Sequence, residues 1–461
     1  MSWANVLTAM LPENLLLLGI VLLICTELVG KPRGALPLSF FVLVAAALAA
    51  AGLGLSGYVG EPFPEHLSVG PQSLLAKAII IGLTIPVVLM SRDDFADARF
   101  HLLLVSSLYG ACLMVSADSF LTLFLGVEIM SLPVYALVLL AYRRPESAEA
   151  ALKYLVLSGT ASATFLMGVS LLYGATGSMS VGAFAGALGF RDPLALAAVV
   201  MILAAFFLKA AVVPFHTWAP DAYEGASVPV TAYMATIVKA GVLLAVARLF
   251  AEALLSPAMV HMIAILPLVS IVWGNLTAMR QTSFRRMIAY SSIAHAGYLF
   301  YAFLGDGPGR FQAVTFYILA YGLMNVLAFA AIPPDSSDTR RDSLDHLKGL
   351  FQREPYAAIM IGLAMLSLAG IPPFPGFVAK FLIFRNVMEA GFTLYAVLGL
   401  VGSYLGIYFY LRVIQYMFMS ADEPAATRVT SPSVAAMSAS VLCLVPALLL
   451  AVFPGWVIGR L

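Results

Sequence analysis

Residues 201–241 have the sequence MILAAFFLKAAVVPFHTWAPDAYEGASVPVTAYMATIVKAG. Two lysines, Lys209 and Lys239, lie in runs that are otherwise apolar, and a proline-containing segment separates them. A charged side chain at the centre of a membrane costs about 2.5–3.5 kcal/mol on insertion scales. Interrupted helices beside such charges are typical of transport sites, since broken backbone in a membrane must be buried by protein or line a cavity. The stretch therefore predicts part of an ion path.

The whole chain has the composition of a polytopic membrane protein. Of its 461 residues, 62% are hydrophobic and 11% are charged, whereas soluble domains are about 25% charged. The net charge of +1, without a basic run, gives no indication of a nucleic-acid partner. The three cysteines lie far apart and predict neither a disulfide framework nor a metal site. No Lys or Arg precedes the first apolar run, so we expect a retained first span rather than a cleaved signal peptide.

Apolar runs of the length that crosses a bilayer, about 20 residues, occur fourteen times. They predict an all-α integral membrane protein with spans near 11–30, 36–57, 73–91, 101–117, 119–141, 150–174, 193–218, 228–252, 258–279, 285–304, 311–332, 355–390, 393–418 and 433–458. The longest polar loop, residues 333–355, has room for a short surface helix.

Basic residues are unevenly divided between the two sets of loops. Loops after odd-numbered spans hold fourteen, namely Lys31, Arg33, Arg92, Arg99, Arg143, Arg144, Arg280, Arg285, Arg286, Arg340, Arg341, Lys348, Arg353 and Arg428. The opposite side holds four, namely Arg191, Arg310, Arg385 and Arg460. Because cytoplasmic loops are enriched in Lys and Arg, this bias predicts that both termini lie outside the cytoplasm.

A second interrupted span occurs at residues 365–384, MLSLAGIPPFPGFVAKFLIF, and it also contains a lysine, Lys380. Pro214 and Pro373 are 159 residues apart, which corresponds to five predicted spans. An odd offset reverses the direction in which the second copy enters the membrane. We therefore predict two inverted five-helix repeats with broken helices 7 and 12, between flanking segments: 1–92 (three helices), 101–252 (first repeat), 258–418 (second repeat) and 433–461 (one helix).

Apart from the residues counted with the loops, seven basic residues fall within the predicted spans: Lys77, Lys153, Lys209, Lys239, Arg248, Lys380 and Arg412. Lys77, Arg248 and Arg412 lie near span ends, where we expect their long side chains to reach the lipid headgroups. Lys239 is different, because it lies ten residues after Pro229, about 15 Å along a helix, and so near mid-membrane. A buried structural ion pair is the alternative to an ion path for such a lysine.

Glu128 is the only acid that we place deep within a span. A buried carboxylate needs a cation or takes up a proton, and Lys209 in the same repeat is the candidate partner; a purely structural role is the alternative. Lys153 lies at the start of span 6, with Glu149 one helical turn earlier. That pair is either a surface ion pair or part of a proton entry.

Two histidines lie in or beside the spans, His216 in the first interruption and His295 in span 10. Each is a candidate proton relay, because histidine titrates near neutral pH. A hydrogen-bonded structural histidine is the alternative, and haem ligation is a third interpretation. No nucleotide or redox motif accompanies them, so we expect no cofactor in this chain.

Three stretches together resemble the antiporter-like membrane subunits of respiratory complex I (NADH-quinone oxidoreductase), most closely those of the subunit N type: LKAAVVPFHTWAPDAYEGASVPVTAYMATIVKAG, RQTSFRRMIAYSSIAHAGYLF and GIPPFPGFVAKF. The resemblance runs in order from about span 4 to span 13. It implies a fourteen-helix membrane-arm subunit that translocates protons while quinone is reduced elsewhere in the complex. The N type is favoured by the DAYEGA motif, by Lys380 where M-type chains have glutamate, and by an end at Leu461 where L-type chains continue into a lateral helix.

The resemblance also implies roles for particular residues. Glu128, Lys209, Lys239 and Lys380 match the family positions that carry protons, and Lys153 matches a lysine near the start of span 6. The implied partners are M-, L-, K- and J-type membrane subunits, the bilayer of a bacterial inner membrane and the quinone pool. NADH, FMN, iron–sulfur clusters and quinone would be bound by partner subunits.

Other functions are compatible with the same sequence. A subunit of an Mrp-type multi-subunit cation/proton antiporter is the main alternative, since it shares the fold. A solute transporter with another type of inverted repeat is disfavoured by a row of lysines without an evident substrate pocket. A passive scaffold leaves the four buried charged residues unexplained.

Overall fold

The computed structural model describes residues 3–30, 34–95, 97–141, 145–189, 192–251, 255, 257–305, 307–333, 343–419 and 431–461. Helices account for most of these residues. The first ten are α1 (Trp3–Ala9), α2 (Leu11–Leu28), α3 (Ala35–Leu55), α4 (Pro71–Met90), α5 (Ala98–Val115), α6 (Phe120–Leu139), α7 (Pro145–Thr176), α8 (Gly182–Ala187), α9 (Pro193–Ala210) and α10 (Trp218–Gly225).

Eleven further α-helices follow in the described part of the chain. They are α11 (Val228–Tyr233), α12 (Lys239–Leu249), α13 (Pro257–Ala278), α14 (Phe284–Tyr301), α15 (Gly307–Ala330), α16 (Leu350–Arg353), α17 (Pro355–Ala369), α18 (Pro375–Glu389), α19 (Thr393–Phe418), α20 (Val434–Val452) and α21 (Pro454–Ile458). A π-helix, Met234–Val238, joins α11 to α12. Short 3-10 turns lie at Ser91–Asp93 and Ala302–Leu304.

The predicted all-α membrane fold is confirmed. Among the described residues, thirteen helices are long and apolar enough to cross a membrane. The predicted span near 355–390 consists instead of α17 and α18, two helices of 15 residues each. Span 7 is likewise interrupted between α9 and α10. Both predicted breaks are therefore present, and α16 is the short helix expected in the loop 333–355.

The spans differ greatly in how much protein surrounds them. At least 94% of an 18-residue stretch is buried in each of the spans Val228–Leu249, Phe284–Leu304 and Gly309–Ala330. The corresponding shares for Leu11–Leu28 and Ala35–Leu55 are 28% and 22%. Polar side chains on the three central spans therefore face protein rather than lipid, which is where ionisable residues are tolerated inside a membrane.

A small β-hairpin is the main element that the sequence does not indicate. Strands β1 (Gly60–Phe63) and β2 (Leu67–Val69) pair antiparallel between α3 and α4. The backbone N–H of Ser68 donates to the carbonyl of Ser116, 3.0 Å away, and that of Asp118 donates to the carbonyl of His66 at 2.9 Å. The hairpin thereby ties the start of α4 to the end of α5. Strands of three and four residues are too short to give an alternating pattern.

The prediction that Lys77 reaches the headgroups is wrong. Its side chain is completely buried, and its Nζ lies 2.6 Å from Oε1 of Glu13, which is buried as well. Glu13 lies near the start of the first span, and it is a buried acid that the sequence did not single out. The pair joins α2 to α4, and each charge offsets part of the desolvation of the other.

We expect Lys77→Met to destabilise the fold by about 3–5 kcal/mol, because it leaves the Glu13 carboxylate buried without a cation. Replacing both residues, Lys77→Met with Glu13→Leu, should restore most of the lost stability, since no unpaired charge then remains. The midpoint of thermal unfolding in detergent measures both effects. If the double variant is no more stable than Lys77→Met, the ion pair stabilises the fold beyond offsetting the desolvation of its two charges, and this expectation is wrong.

Two arginines near span ends, and one that was counted with the loops, contact protein groups. Arg248 donates to Oδ1 of Asp118 at 3.0 Å, and Arg412 donates to the carbonyl of Met279 at 2.7 Å. Arg285 was expected in a loop, but it lies in the first turn of α14, is buried and donates to the carbonyl of Ala226.

Eight basic residues of the charge comparison lie outside the described residues: Lys31, Arg33, Arg143, Arg144, Arg191, Arg340, Arg341 and Arg428.

Candidate functional site

The first break is stabilised by hydrogen bonds from protein groups. The chain leaves α9 at Ala211, whose backbone is left-handed with φ 62°. The indole N–H of Trp218 donates to the carbonyl of Leu208 at 2.9 Å. The backbone N–H of Val213 donates to Oγ of Ser270 at 2.7 Å. Groups freed by the break are thus satisfied within the protein, as an interrupted helix in a membrane requires.

Lys209 lies in the last turn of α9, among serines from two neighbouring helices. Its Nζ donates to Oγ of Ser158 at 2.5 Å and to Oγ of Ser131 at 3.3 Å. The nearest oxygen of Glu128 is 3.7 Å from this nitrogen, an ion-pair distance that is too long for a hydrogen bond. Glu128 instead accepts a hydrogen bond from the hydroxyl of Ser162. The carboxylate of Glu128 and the ammonium of Lys209 are therefore in ion-pair contact without a hydrogen bond between them.

Lys153 belongs to a network of charged groups. Its Nζ lies 2.7 Å from Glu149 and 2.8 Å from Asp221. Arg286 contacts Asp221 at 2.9 Å and Glu224 at 2.8 Å. Burial alone would raise the pKa of Asp221, but hydrogen bonds from Lys153 and Arg286 outweigh burial and lower this pKa, so the carboxylate is charged at neutral pH. The network lines a pocket of about 410 Å³.

Lys239 follows the π-helix Met234–Val238 directly. The sequence indicates one uninterrupted span here, whereas the structure has an extra residue in the turn before the lysine. Such turns are rare and frequently lie at functional sites. The buried Nζ of Lys239 donates to the backbone carbonyl of Ser292 at 2.6 Å.

His295 lies one helical turn after Ser292 and is bonded through both ring nitrogens. Its Nε2 is 2.9 Å from the hydroxyl of Tyr410, and its Nδ1 is 2.7 Å from the hydroxyl of Tyr317. Oγ of Ser291 is 2.5 Å from the same Tyr410 hydroxyl. Because both nitrogens are occupied, the geometry does not favour the haem-ligand interpretation. The tyrosines are missed by sequence reasoning, since buried aromatic residues are usual in any core.

Lys380 lies in α18, beside the end of α17. Its Nζ donates to the carbonyl of Ala369 at 3.1 Å and is 5.1 Å from the centre of the Tyr298 ring. A positive charge is favourable at the C-terminus of a helix. A Cβ at Gly376 would lie 1.8 Å from the carbonyl oxygen of Ser367. Only glycine therefore lets α18 begin this close to α17 and hold Lys380 at the break.

His216 lies apart from the lysines. It is partly buried, and its Nε2 accepts a hydrogen bond from the indole of Trp273 at 3.2 Å. The Trp273 side chain is half exposed, so this pair lies at the edge of the bundle. Within the described chain, no group of three His, Cys, Asp or Glu side chains is arranged to hold a metal ion.

A series of aromatic side chains lies between two groups of candidate residues. The first group is Glu128 and Lys209, and the second is Lys239, His295 and Lys380. Tyr135 packs edge-on against Tyr154 with ring centres 4.8 Å apart, and Tyr154 stacks on Trp218 at 4.3 Å. Tyr223 then places its hydroxyl 3.5 Å from Oγ of Ser292. The structure thus brings Glu128 to Lys209, and it brings Lys239, His295 and Lys380 to neighbouring positions around α14.

A sequence profile described as "NADH:quinone oxidoreductase/Mrp antiporter, TM" matches residues 117–406, more than half of the chain. The chain belongs to this family. Each of the candidate residues, from Glu128 to Lys380, lies within the part that matches.

Individual proteins are similar in sequence to this chain over most of its length. NADH-quinone oxidoreductase subunit N of Pelobacter propionicus is 40% identical over 423 residues, covering 91% of this chain and 90% of that protein. A chain of respiratory complex I from Thermus thermophilus, solved with bound aureothin, is 33% identical with a TM-score of 0.83, covering 97% of this chain and 98% of that chain.

A solved structure with lower sequence identity has the same architecture. A chain of the Mrp complex from a Dietzia species superposes with a TM-score of 0.86, covering 100% of this chain and 96% of that chain. Its sequence identity is 22%, so this likeness concerns the fold alone.

Proposed function

We propose that the chain is a proton-translocating membrane-arm subunit of an NADH-quinone oxidoreductase, coupling quinone reduction elsewhere in the complex to proton transfer. The observation that carries the proposal is the 40% identity to a subunit N over 91% of the chain. Buried charged residues at two helix breaks supply the chemistry, because they lie where an interrupted span of a transporter holds its ion.

The proposed proton path passes through the candidate residues in turn, and the contacts of Lys209, Lys239 and His295 support it. Protons would enter at the charged network around Lys153 and reach Glu128 and Lys209. They would then pass to Lys239, to His295 and to Lys380. His216 would serve as a side relay at the first break, where it lies beside Trp273.

We further propose that residues 101–252 and 258–418 are the two inverted repeats, with 1–92 and 433–461 flanking them. Both termini would face the periplasm of a bacterium whose inner membrane holds the protein. The M-, L-, K- and J-type subunits would be its neighbours, and NADH, FMN, iron–sulfur clusters and quinone would be bound elsewhere in the complex.

Purification after mild detergent extraction tests this assignment. We expect redox subunits with iron–sulfur clusters to co-purify with an affinity-tagged form of the chain. Co-purification with other antiporter-type membrane proteins, and with no redox subunit, would contradict the assignment and favour the Mrp-type antiporter.

A comparison on the same span tests the placement of the path. Lys239 and Arg248 lie on the same span, nine residues apart. We expect Lys239→Ala to abolish most proton pumping and Arg248→Ala to have a much milder effect. Lys239 is buried in the bundle, whereas Arg248 contacts loop groups at the end of α12. Pumping by membrane vesicles, normalised to assembled complex, is the measurement. Equal losses would show that the path extends to the end of this helix.

A further inference from the structure

We propose that the hydroxyl of Tyr317 carries protons between His295 and Lys380. The inference rests on the proposed function, because it needs a proton path along α14, and it adds a residue to that path. Tyr317 lies on α15, the span after the histidine, and its side chain is buried.

Four groups form a continuous hydrogen-bonded chain across three helices. Ser291 and His295 belong to α14, Tyr410 to α19 and Tyr317 to α15, and the three links measure 2.5, 2.9 and 2.7 Å in the order Ser291–Tyr410–His295–Tyr317. A neutral imidazole donates from one nitrogen and accepts at the other. The two tyrosine hydroxyls must therefore play opposite roles, so all hydrogens point in one direction along the chain. Two such polarisations exist.

The Tyr317 end of this chain opens on Lys380. Tyr317, His295, Tyr321 and Lys380 line a cavity whose water-accessible volume is about 10 Å³, room for about one water molecule. In one polarisation the Tyr317 hydroxyl has its hydrogen free to donate beyond the chain, and in the other its oxygen has a lone pair free to accept. The same hydroxyl can thus give a proton to a neutral Lys380 amine or accept one from its ammonium.

The transfer balances at each link. When the O–H bond of Tyr317 breaks and an N–H bond forms on Lys380, directly or through one water, the Nδ1–H proton of His295 restores the tyrosine hydroxyl. Nε2 of His295 then takes the hydroxyl proton of Tyr410, and Tyr410 takes the hydroxyl proton of Ser291. A proton that arrives at Ser291 along the proposed path replaces the one that left. No charge remains in the chain, and each passage leaves it with the reversed polarisation.

The test uses Tyr317→Phe in the complete complex, reconstituted in liposomes, with pumping normalised to assembled complex. General acid–base groups contribute about 10²–10⁴-fold; because one water can partly replace the hydroxyl, we expect pumping to fall at least about tenfold. We also expect a larger solvent deuterium isotope effect on pumping, since proton transfer becomes limiting. The matched control is Tyr301→Phe, a buried tyrosine whose hydroxyl has no hydrogen-bond partner within the described chain; it should pump normally.

The possible failures are distinguishable. If Tyr317→Phe pumps like Tyr301→Phe while Lys380→Ala does not pump, the relay is wrong and the proposed function stands. If Lys380→Ala pumps normally, both are wrong. Slower pumping with an unchanged isotope effect would indicate a structural role and overturn the relay. If Tyr317→Phe prevents assembly, a ring-fluorinated tyrosine at position 317 keeps the shape and has a more acidic hydroxyl; an altered pumping rate supports the relay, and an unaltered rate overturns it.

Discussion

The Lys209→Ala variant should assemble and yet lose most of its proton pumping, and its quinone reductase activity should fall with it. Lys209 is buried at the end of α9, where its ammonium contacts Ser131, Ser158 and the carboxylate of Glu128. Alanine removes the proton-carrying group and leaves the serines, which do not titrate near neutral pH. Loss of a positioned proton-transfer group lowers rates by about 10²–10⁴-fold, so we expect pumping to fall at least about a hundredfold.

Two further variants sharpen the Lys209 experiment. Lys209→Arg keeps the positive charge and should not restore activity, because arginine does not deprotonate in proteins. Arg385→Ala is a control, since Arg385 lies on the exposed side of α18 in a surface pair with Glu389. Pumping at the wild-type rate by vesicles that contain assembled Lys209→Ala complex would remove Lys209 from the path.

Replacing Glu128 tests whether the pair that it forms with Lys209 acts as a switch. At 3.7 Å, two unit charges attract each other by about 4 kcal/mol at an effective dielectric constant of about 20. Movement of the carboxylate therefore changes how firmly Lys209 holds its proton. The membrane potential supplies about 2.3 kcal/mol per charge per 100 mV, so the attraction between Glu128 and Lys209 is comparable to the energy of moving one charge across the membrane. We expect Glu128→Gln to impair pumping severely.

The controls for Glu128 separate charge from shape. Glu128→Asp retains the charge and should keep part of the activity, whereas glutamine retains the shape and can still accept the Ser162 hydrogen bond. A structural role for Glu128 predicts that Glu128→Gln is nearly silent. Pumping and quinone reductase rates near the wild-type values in the assembled Glu128→Gln complex would therefore rule out the switch.

Much of the architecture follows from local sequence signals. An apolar run of about 20 residues is long enough to cross a bilayer, so the number and approximate positions of the spans follow from composition. The breaks are marked by prolines within a few residues of a lysine: Pro214 follows Lys209 by five residues, and Pro373 precedes Lys380 by seven. Lys209, Lys239 and Lys380 stand out because a charge in an apolar run is expensive.

The contacts between distant parts of the chain did not follow from the sequence. Lys77 lies near a span end, and nothing local shows that Glu13, 64 residues earlier, is its partner. The tyrosines around His295 come from α15 and α19, and buried tyrosine carries no periodic signal that separates a hydrogen-bonding role from packing. The π-helix before Lys239 depends on how α12 packs against its neighbours, which tertiary contacts decide.

The most direct test of the account is the proton-pumping rate of assembled complex carrying Lys380→Ala, reconstituted in liposomes beside Arg385→Ala. Both residues lie on α18, five positions apart, but Lys380 is buried at the second break and Arg385 is exposed. If protons cross the chain along its buried lysines, Lys380→Ala should pump at less than about a tenth of the rate of Arg385→Ala. Equal pumping rates at equal assembly would contradict the account.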